Sequence, residues 1–234
     1  MIVYCVYTAQ DNESIKGMNR CRNSARKYDI DFQPWVGVYF KNLKEKHEEL
    51  GIRAKYKPVP GGSTSFDQKY APQSRVANGT THYELYLRAA RLNTPIAIVE
   101  HDAIFQAPLP EVLPENINDS IVQISSHNEK QMTVELLETC GRANKMRKYG
   151  KTQKPYRDWS EEIGVIPHPL SGTNGTSGYI IGPGAAQKMV DYIKADGVGF
   201  ADRLREEHIG EGNLYLQVPQ CVVCPHDIRS TRLY

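Results

Sequence analysis

The stretch Ile96-Ala-Ile-Val-Glu-His-Asp-Ala-Ile-Phe105 decides the fold prediction. Its first four residues are all apolar, a pattern that predicts a strand buried on both faces of a parallel sheet. Three polar residues, Glu100, His101 and Asp102, follow at the point where this strand is expected to end. In open parallel sheets, ligands bind beyond the carboxyl ends of the strands, so this is the first candidate for a functional site.

Strand-like and helical patterns alternate along the chain on both sides of this strand. The helix just before it is predicted to open with the capping box Thr81-His-Tyr-Glu84, to carry one apolar face and to end near Leu92. The other predicted elements are strands at Ile2–Tyr7, Phe32–Phe40, Ser120–Ile124, Tyr179–Ile181 and Val218–Val223, and helices through Tyr28, at Asn42–Leu50, at Met132–Tyr149 and from Pro183. Lys57–Asn78, rich in Pro, Gly, Ser and Thr, is predicted to be a long loop. This alternation predicts an α/β fold with a mostly parallel sheet covered by helices.

Composition describes an ordinary water-soluble globule of one domain. The chain has 234 residues, of which 40% are hydrophobic and 24% charged. Lys and Arg outnumber Asp and Glu by only 29 to 27, which excludes a whole-surface electrostatic attraction to nucleic acid or membranes. Five scattered cysteines suit a reducing compartment. With no leader-like start and no apolar run of membrane-spanning length, we expect a cytoplasmic protein.

Two carboxylates, those of Glu100 and Asp102, lie at the predicted end of this strand. Strand alternation is expected to put Glu100 and Asp102 on one face and His101 on the other. Two carboxylates so spaced can bind a divalent cation, which in turn neutralises a diphosphate leaving group. The structural alternative is a charge cluster that caps a neighbouring helix or turn.

Three segments, taken in order, resemble glycosyltransferase family 25. They are Thr81-His82, Ile98-Val-Glu-His-Asp-Ala103 and Ser177-Gly-Tyr-Ile-Ile-Gly-Pro-Gly-Ala-Ala-Gln-Lys-Met189, and Asp202 follows them. That family comprises lipopolysaccharide-type and collagen-type sugar transferases with a GT-A fold. The resemblance implies a single GT-A-like, Rossmann-like domain over residues 1–234. It further implies inverting transfer of a sugar from a nucleotide-diphosphate sugar to an acceptor hydroxyl, with Mn2+ or Mg2+.

The resemblance also assigns roles to individual residues. Asp202 would be the catalytic base, and Asp102 would act in catalysis and bind the metal. The remaining metal ligands would be Glu100, His101 and His226. Glu100 would bind the donor. Donor binding is also expected of Thr8, Ala9 and Gln10, because they follow the first strand, and of His82, which at a helix N-terminus could bind a phosphate or a sugar hydroxyl. Acceptor-binding residues would be Ser177, Gly178 and Tyr179. Structural roles are the alternatives for His82, as a buried core histidine, and for Asp202, as the acidic start of a helix.

Two departures from the family pattern bear on these roles. His101 stands where the family has its middle acidic residue, and Val6-Tyr-Thr-Ala-Gln10 replaces an Asn-Leu-Asp-Arg type of opening. The first concerns metal dependence and the second concerns contacts with the nucleotide. Histidine is nevertheless a competent manganese ligand, and Thr8 to Gln10 still follow the first strand.

The sequence is also compatible with two other functions and, for a transferase, with two classes of acceptor. A nucleotidyltransferase would share the phosphate chemistry, but its Gly-rich basic signature is missing between Thr8 and Arg26. A non-catalytic nucleic-acid-binding module would rest on the basic tract Arg142–Arg157. For a transferase, the acceptor is expected to be a saccharide or a hydroxymethylated base in DNA, which some phage enzymes glycosylate.

Overall fold

The computed structural model describes most of the chain. The described residues are 1–55, 57–59, 70–126, 164–167, 177–199, 201, 206–218 and 220–224. The predicted helix Met132–Tyr149, the basic tract Arg142–Arg157, Asp202 and His226 all lie outside them.

Twelve strands and five α-helices have described bounds. The strands are β1 (Val3–Tyr7), β2 (Phe32–Val36), β3 (Lys57–Val59), β4 (Tyr70–Pro72), β5 (Ile96–Glu100), β6 (Ile104–Phe105), β7 (Ile121–Gln123), β8 (Ser125–Ser126), β9 (Gly164–Pro167), β10 (Gly178–Ile181), β11 (Leu214–Val218) and β12 (Val222–Val223). The helices are α1 (Asn12–Arg26), α2 (Leu43–Leu50), α3 (Gln73–Leu92), α4 (Pro183–Asp196) and α5 (Glu206–Ile209). Short 3-10 helices span Phe40–Asn42 and Ile117–Asp119.

A seven-stranded sheet with the order β2-β1-β5-β10-β7-β11-β9 forms the centre of the fold. β1 pairs in parallel with both β2 and β5, and β7 pairs in parallel with β11. β10 and β9 run in the opposite direction to the others. The prediction of an α/β fold with a mostly parallel, Rossmann-like sheet is therefore confirmed. Small sheets add the pairings β6-β12-β8 and β3-β4.

Helices cover both faces of this sheet, and the alternation along β5 divides the core in two. Ile96 and Ile98 pack on one side in a cluster that includes residues of α3 and α4. Ala97 and Val99 pack on the other side in a cluster that includes residues of α1. These four residues are at most 1% exposed, as expected of a central strand covered on both faces.

The predicted start of α3 at Thr81 is wrong, because the helix begins eight residues earlier, at Gln73. The hydroxyl of Thr81 was expected to mark a helix start. Instead, the hydroxyls of Thr80 and Thr81 each donate to the carbonyl four residues back, in Val76 and Ala77, at 2.8 and 3.0 Å. Threonines in the middle of a helix satisfy their hydroxyls in this way. Thr81 and His82 therefore do not open the helix.

Three further boundaries differ from the sequence prediction. The stretch predicted as a loop contains β3, β4 and the first turns of α3. The second strand ends at Val36 rather than Phe40, where a 3-10 helix begins. The last predicted strand, Val218–Val223, is divided between β11 and β12, which belong to different sheets. The prediction at Gly51 is confirmed, since this residue ends α2 with φ 63°, a left-handed conformation that glycine adopts without strain.

No helix within the described residues is both long enough and apolar enough to cross a membrane.

Candidate active site

The carboxyl ends of β1, β2 and β5 meet the amino end of β10 at one edge of the central sheet. The amide of Gly37, after β2, donates to the carbonyl of Tyr7 in β1 at 2.7 Å. The amide of Glu100 in β5 donates to the carbonyl of Ser177, just before β10, at 3.2 Å. This edge therefore brings together Ser177, Gly178, Glu100 and the loop that begins at Thr8. It is the edge where parallel α/β sheets bind ligands.

Glu100 is the last residue of β5 and is turned toward α3. Its Oε1 atom accepts a hydrogen bond from Nδ2 of Asn78 at 3.2 Å. Its charge also contributes to the raised pKa of the Tyr179 phenol, although burial is the largest cause. The carboxylate is partly buried, which strengthens both interactions.

Asp102 is reached by a turn rather than by a continuing strand. The amide of Ala103 donates to the carbonyl of Glu100 at 3.0 Å, and this turn ends the strand alternation at Glu100. The prediction that strand alternation places Glu100 and Asp102 on one face is therefore wrong, because the strand does not continue to Asp102. The carbonyl of Asp102 accepts from Nη2 of Arg20 in α1 at 3.4 Å.

Asp102 is 5% exposed and lies close to buried thiols on the α1 side of the sheet. Burial raises the pKa of the Cys5 thiol well above its usual value, and the neighbouring Cys21 and the Asp102 carboxylate raise it further. Burial likewise raises the pKa of Cys224, with Asp102 as the next cause. A carboxylate in such a setting carries a negative charge that little solvent screens.

His101, between the two carboxylates, is 9% exposed. Burial lowers its pKa, and the carboxylates of Asp102 and Asp11 offset part of that shift. No donor or acceptor of the described residues lies within hydrogen-bond distance of its Nε2 atom. A neutral imidazole with an available ring nitrogen can bind a ligand or a metal ion.

These residues alone do not make a metal centre. Among the described residues, no three His, Cys, Asp or Glu side chains are grouped so as to hold a metal ion. A cation at this edge would need a further ligand from elsewhere, and the predicted ligand His226 lies outside the described residues. Metal binding by Asp102, Glu100, His101 and His226 stays a prediction.

The loop after β1 lies at this edge, as predicted for donor binding. Ala9 and Gln10 are exposed, and Thr8 is partly buried with its amide donating to Oγ of Ser14 at 2.8 Å. Asp11 then caps α1, its Oδ1 accepting from the amide of Glu13 at 2.9 Å. The loop is thus held against α1 while two of its side chains face solvent. Contact with a donor stays a prediction for Thr8, Ala9 and Gln10.

His82 and Tyr179 lie inside the protein, linked to each other. The hydroxyl of Tyr179 is 2.7 Å from Nδ1 of His82 and 3.1 Å from the hydroxyl of Tyr86. All three residues are at most 1% exposed. His82 is therefore not at a helix N-terminus, where it could have bound a phosphate or a sugar hydroxyl. Ser177, 3% exposed, and Gly178 are also buried. Acceptor binding by Ser177, Gly178 and Tyr179 stays a prediction to which this burial lends no support.

A cavity of about 180 Å³ lies between α3, α4 and α5. Its wall includes His82 and Tyr86 from α3, Tyr192 from α4, and His208 from α5. The chain from Gly197 to Gly199, with Ala201, also lines it. Asp202, the predicted base, is the residue that follows Ala201 in the sequence.

A comparison with models of known protein families identifies the family of this chain. The model of glycosyltransferase family 25, described as an LPS biosynthesis protein, matches residues 68–200, more than half of the chain. The chain belongs to glycosyltransferase family 25. No curated protein matches it.

The region matched to glycosyltransferase family 25 contains Glu100, His101 and Asp102 and the segment Ser177–Tyr179. It begins after Thr8–Gln10 and ends before Asp202 and His226. Family membership therefore bears most directly on the strand-end cluster of β5 and on α3.

Sequence reasoning missed the part of α3 that precedes Thr81. Asn78 was assigned to the end of a loop, and it proves to be the side chain that binds Glu100. One signal could have found it. Val76 lies seven residues before Tyr83, so the apolar face of the helix continues back beyond the predicted start. Arg20 was also missed, and no motif marks it.

Proposed function

We propose that this member of family 25 transfers a sugar from a nucleotide-diphosphate sugar to an acceptor hydroxyl, with inversion at the anomeric carbon. Membership in the family implies glycosyl transfer in general. One observation favours the sheet edge as the place where it occurs: Glu100, His101 and Asp102 lie together at the carboxyl end of β5, beside the exposed loop that follows β1. This is where Rossmann-like folds bind nucleotides.

The proposed reaction forms one bond and breaks one. The acceptor oxygen bonds to the anomeric carbon while the bond from that carbon to the diphosphate oxygen breaks, and the nucleoside diphosphate leaves with the electron pair. The acceptor proton passes to a carboxylate, for which we propose Asp202. Thr8, Ala9 and Gln10 would contact the nucleotide. Asp102 would orient the groups around the donor, and Asn78 would hold Glu100 in place through its hydrogen bond.

A divalent cation is the less supported part of this proposal. Mn2+ or Mg2+ would stabilise the charge of the departing diphosphate, but the described residues by themselves do not complete a site for it. We therefore assign no step to the cation. Turnover in the presence of a chelator decides its role separately from the transfer reaction.

The first experiment incubates the protein with a panel of nucleotide sugars, with and without manganese, and measures hydrolysis and thermal unfolding. A donor present at 100 times its dissociation constant should stabilise the protein by about 2.7 kcal/mol. Replacing Asp102 by Asn should lower turnover by about 100-fold or more, because it removes a charge from a poorly solvated site. The matched control is Asp31→Asn, an exposed aspartate before β2 at the opposite edge of the sheet. Equal loss in both variants, or no turnover with any donor, would contradict the proposal.

A second variant tests the proposed base. Asp202→Asn should reduce transfer to the acceptor by about 10² to 10⁴ while donor binding changes little, since the base acts on the acceptor hydroxyl. Unchanged transfer would return Asp202 to a structural role.

For the acceptor we propose a saccharide hydroxyl, with a hydroxymethylated DNA base as the second candidate. The DNA candidate is favoured by the basic tract Arg142–Arg157. If it holds, DNA binding should weaken with salt, and replacing Arg142, Arg147 and Lys148 by Gln should flatten that dependence by about one unit of slope for each phosphate interaction removed. If the wild type does not bind DNA at low salt, the saccharide remains.

A further inference from the structure

Two polar side chains of α1, Arg20 and Ser24, bond the segment that follows β5. Nη2 of Arg20 donates to the carbonyl of Asp102 at 3.4 Å, and Oγ of Ser24 accepts from the amide of Phe105 at 2.9 Å. Residues four apart in sequence lie on the same face of a helix. The two contacts therefore hold residues 102–105 against one side of α1.

The contact made by Arg20 lies in a poorly solvated place. Asp102 is 5% exposed, and Arg20 is half-buried, with its Nε atom shielded from solvent. The donor is a charged guanidinium group, and little water competes for the carbonyl, so the bond contributes more than the same bond would at the surface.

The carbonyl that Arg20 bonds belongs to the turn that ends β5. This carbonyl and the amide of Ala103 are part of one planar peptide group. The amide of Ala103 donates to the carbonyl of Glu100 at 3.0 Å, so the peptide group is bonded on both sides. Its orientation sets the backbone angle ψ of Asp102, and with it the direction in which the carboxylate leaves the turn.

The charge of Arg20 also acts at this turn. Burial lowers the pKa of His101, the carboxylates of Asp102 and Asp11 raise it, and the guanidinium group of Arg20 lowers it further. Arg20 is therefore within electrostatic range of the same cluster and offsets part of its negative charge. A nucleotide-diphosphate sugar is itself an anion, so this offset favours its approach to the sheet edge.

We propose that Arg20 is a positioning residue of the glycosyl-transfer site: it holds the peptide group between Asp102 and Ala103 and so orients the Asp102 carboxylate. The proposal rests on the proposed function for the reaction that Asp102 serves. Arg20 acts through Asp102, and we assign it no contact with either substrate.

The first test needs no turnover. Arg20→Gln removes the charge and shortens the side chain, and amide hydrogen exchange followed by NMR reports on the turn through the amide of Ala103. The amide of Phe105, held by Ser24, is the reference in the same segment. The exchange rate of Ala103 relative to that of Phe105 should rise about tenfold in the variant. A general loss of stability would speed the two amides alike and leave this ratio unchanged.

Two further variants complete this test. Arg22→Gln is the matched control, because Arg22 is half-buried like Arg20 but lies about 200° away around the axis of α1. It should leave the ratio unchanged. Arg20→Lys keeps the charge but lacks the planar fork of donors, so its ratio should lie between those of the wild type and Arg20→Gln. Circular dichroism shows whether each variant is folded, and Arg20→Lys keeps the test decisive if Arg20→Gln does not fold.

The second test is a double-mutant cycle on turnover. Arg20→Gln should lower kcat by about 10- to 100-fold, while the affinity for the nucleoside diphosphate changes by less than about threefold. In the Asp102→Asn background the same substitution should lower kcat by less than about threefold, because both changes act through one carboxylate. A merely structural role would lower kcat by the same factor in both backgrounds.

The outcomes separate this proposal from the proposed function. A raised ratio at Ala103 without turnover of any donor would support the role of Arg20 in the turn while contradicting the proposed function. An unchanged ratio in both Arg20 variants would overturn the positioning role, whatever the turnover. So would equal losses of kcat from Arg20→Gln with and without Asp102→Asn.

Discussion

Replacing Gly79 by alanine tests the close contact between α3 and the chain at Gly199. Gly79 lies inside α3, where alanine normally stabilises a helix by about 1 kcal/mol relative to glycine. A Cβ atom at this position would lie 2.1 Å from the carbonyl oxygen of Gly199 and 3.3 Å from Cγ2 of Val198. The packing therefore opposes the helix preference.

The distances give the size of the effect. Ordinary van der Waals contact begins near 3.4 Å, so the Cβ atom and the Gly199 oxygen must separate by about 1.3 Å. The obstacle is backbone rather than the end of a flexible side chain, so relief requires movement of the chain or of α3. Overpacking costs about 1 to 3 kcal/mol, and a clash with backbone of this size belongs in the upper part of that range, about 2 to 3 kcal/mol. After the helix gain of about 1 kcal/mol we expect a net loss of about 1 to 2 kcal/mol.

Urea and thermal unfolding measure this loss directly. For a chain of this length the melting temperature should fall by roughly 2 to 8 °C. Ala90→Gly, on the same helix, serves as the control because it reports the helix preference with little change in packing. If Gly79→Ala were as stable as the wild type or more stable, the close contact with Gly199 would be refuted.

Three further outcomes are expected. Asn78→Ala should lower turnover by about tenfold or more, because it removes a charge-assisted hydrogen bond to Glu100, and steady-state kinetics with the donor measures this. The bond from Lys55 lowers the pKa of Asp196 below 3.8, so the ionised carboxylate stabilises the fold above that pH and this contribution is lost as the pH falls. Asp196→Asn should therefore flatten the acid side of the stability curve, by less than about 1 kcal/mol because the pair is partly exposed, as urea unfolding at pH 3 and pH 6 would show. Burial raises the pKa of the Cys221 thiol to about 12, so this thiol and the buried Cys5 and Cys224 should resist iodoacetamide at pH 8 until the protein unfolds, which mass spectrometry can follow.

The sheet could be predicted from sequence because its central strands are continuous apolar runs. Ile96 to Val99 are buried on both faces, and such strands leave no polar alternation to mislead a prediction. Val3 to Val6 behave in the same way in β1. The position of the candidate site could be predicted from the same strand. Charged residues directly after a buried strand indicate either a ligand site or a charge cluster that caps a neighbouring element. The turn at Ala103 could not be predicted, because one backbone hydrogen bond to Glu100 decides it.

The start of α3 was missed because tertiary contacts override local preference there. Asn, Gly and Thr are poor helix residues on their own, and Asn78-Gly-Thr-Thr81 fits a loop or a cap equally well. Burial decides the matter, since Gly79, Thr80 and Thr81 are all covered. No local pattern encodes the neighbours that cover them.

The contacts of residues 78–82 account for a helix segment that contains poor helix-forming residues. Each of the five contacts a different part of the fold: Asn78 donates to Glu100, Gly79 meets Gly199, Thr80 bonds His47, Thr81 accepts from the amide of Val38, and His82 bonds Tyr179. A helix of better formers, such as Ala and Leu, would be more stable alone but could make none of the polar contacts. Because the five residues are consecutive in one helix, their positions are fixed relative to one another to within the geometry of about one and a half turns. The strand-end carboxylate on one side and the cavity on the other are therefore held by the same rigid element. A substitution that displaces this segment should disturb both, whereas a substitution in the exposed loop after β1 should leave the cavity intact.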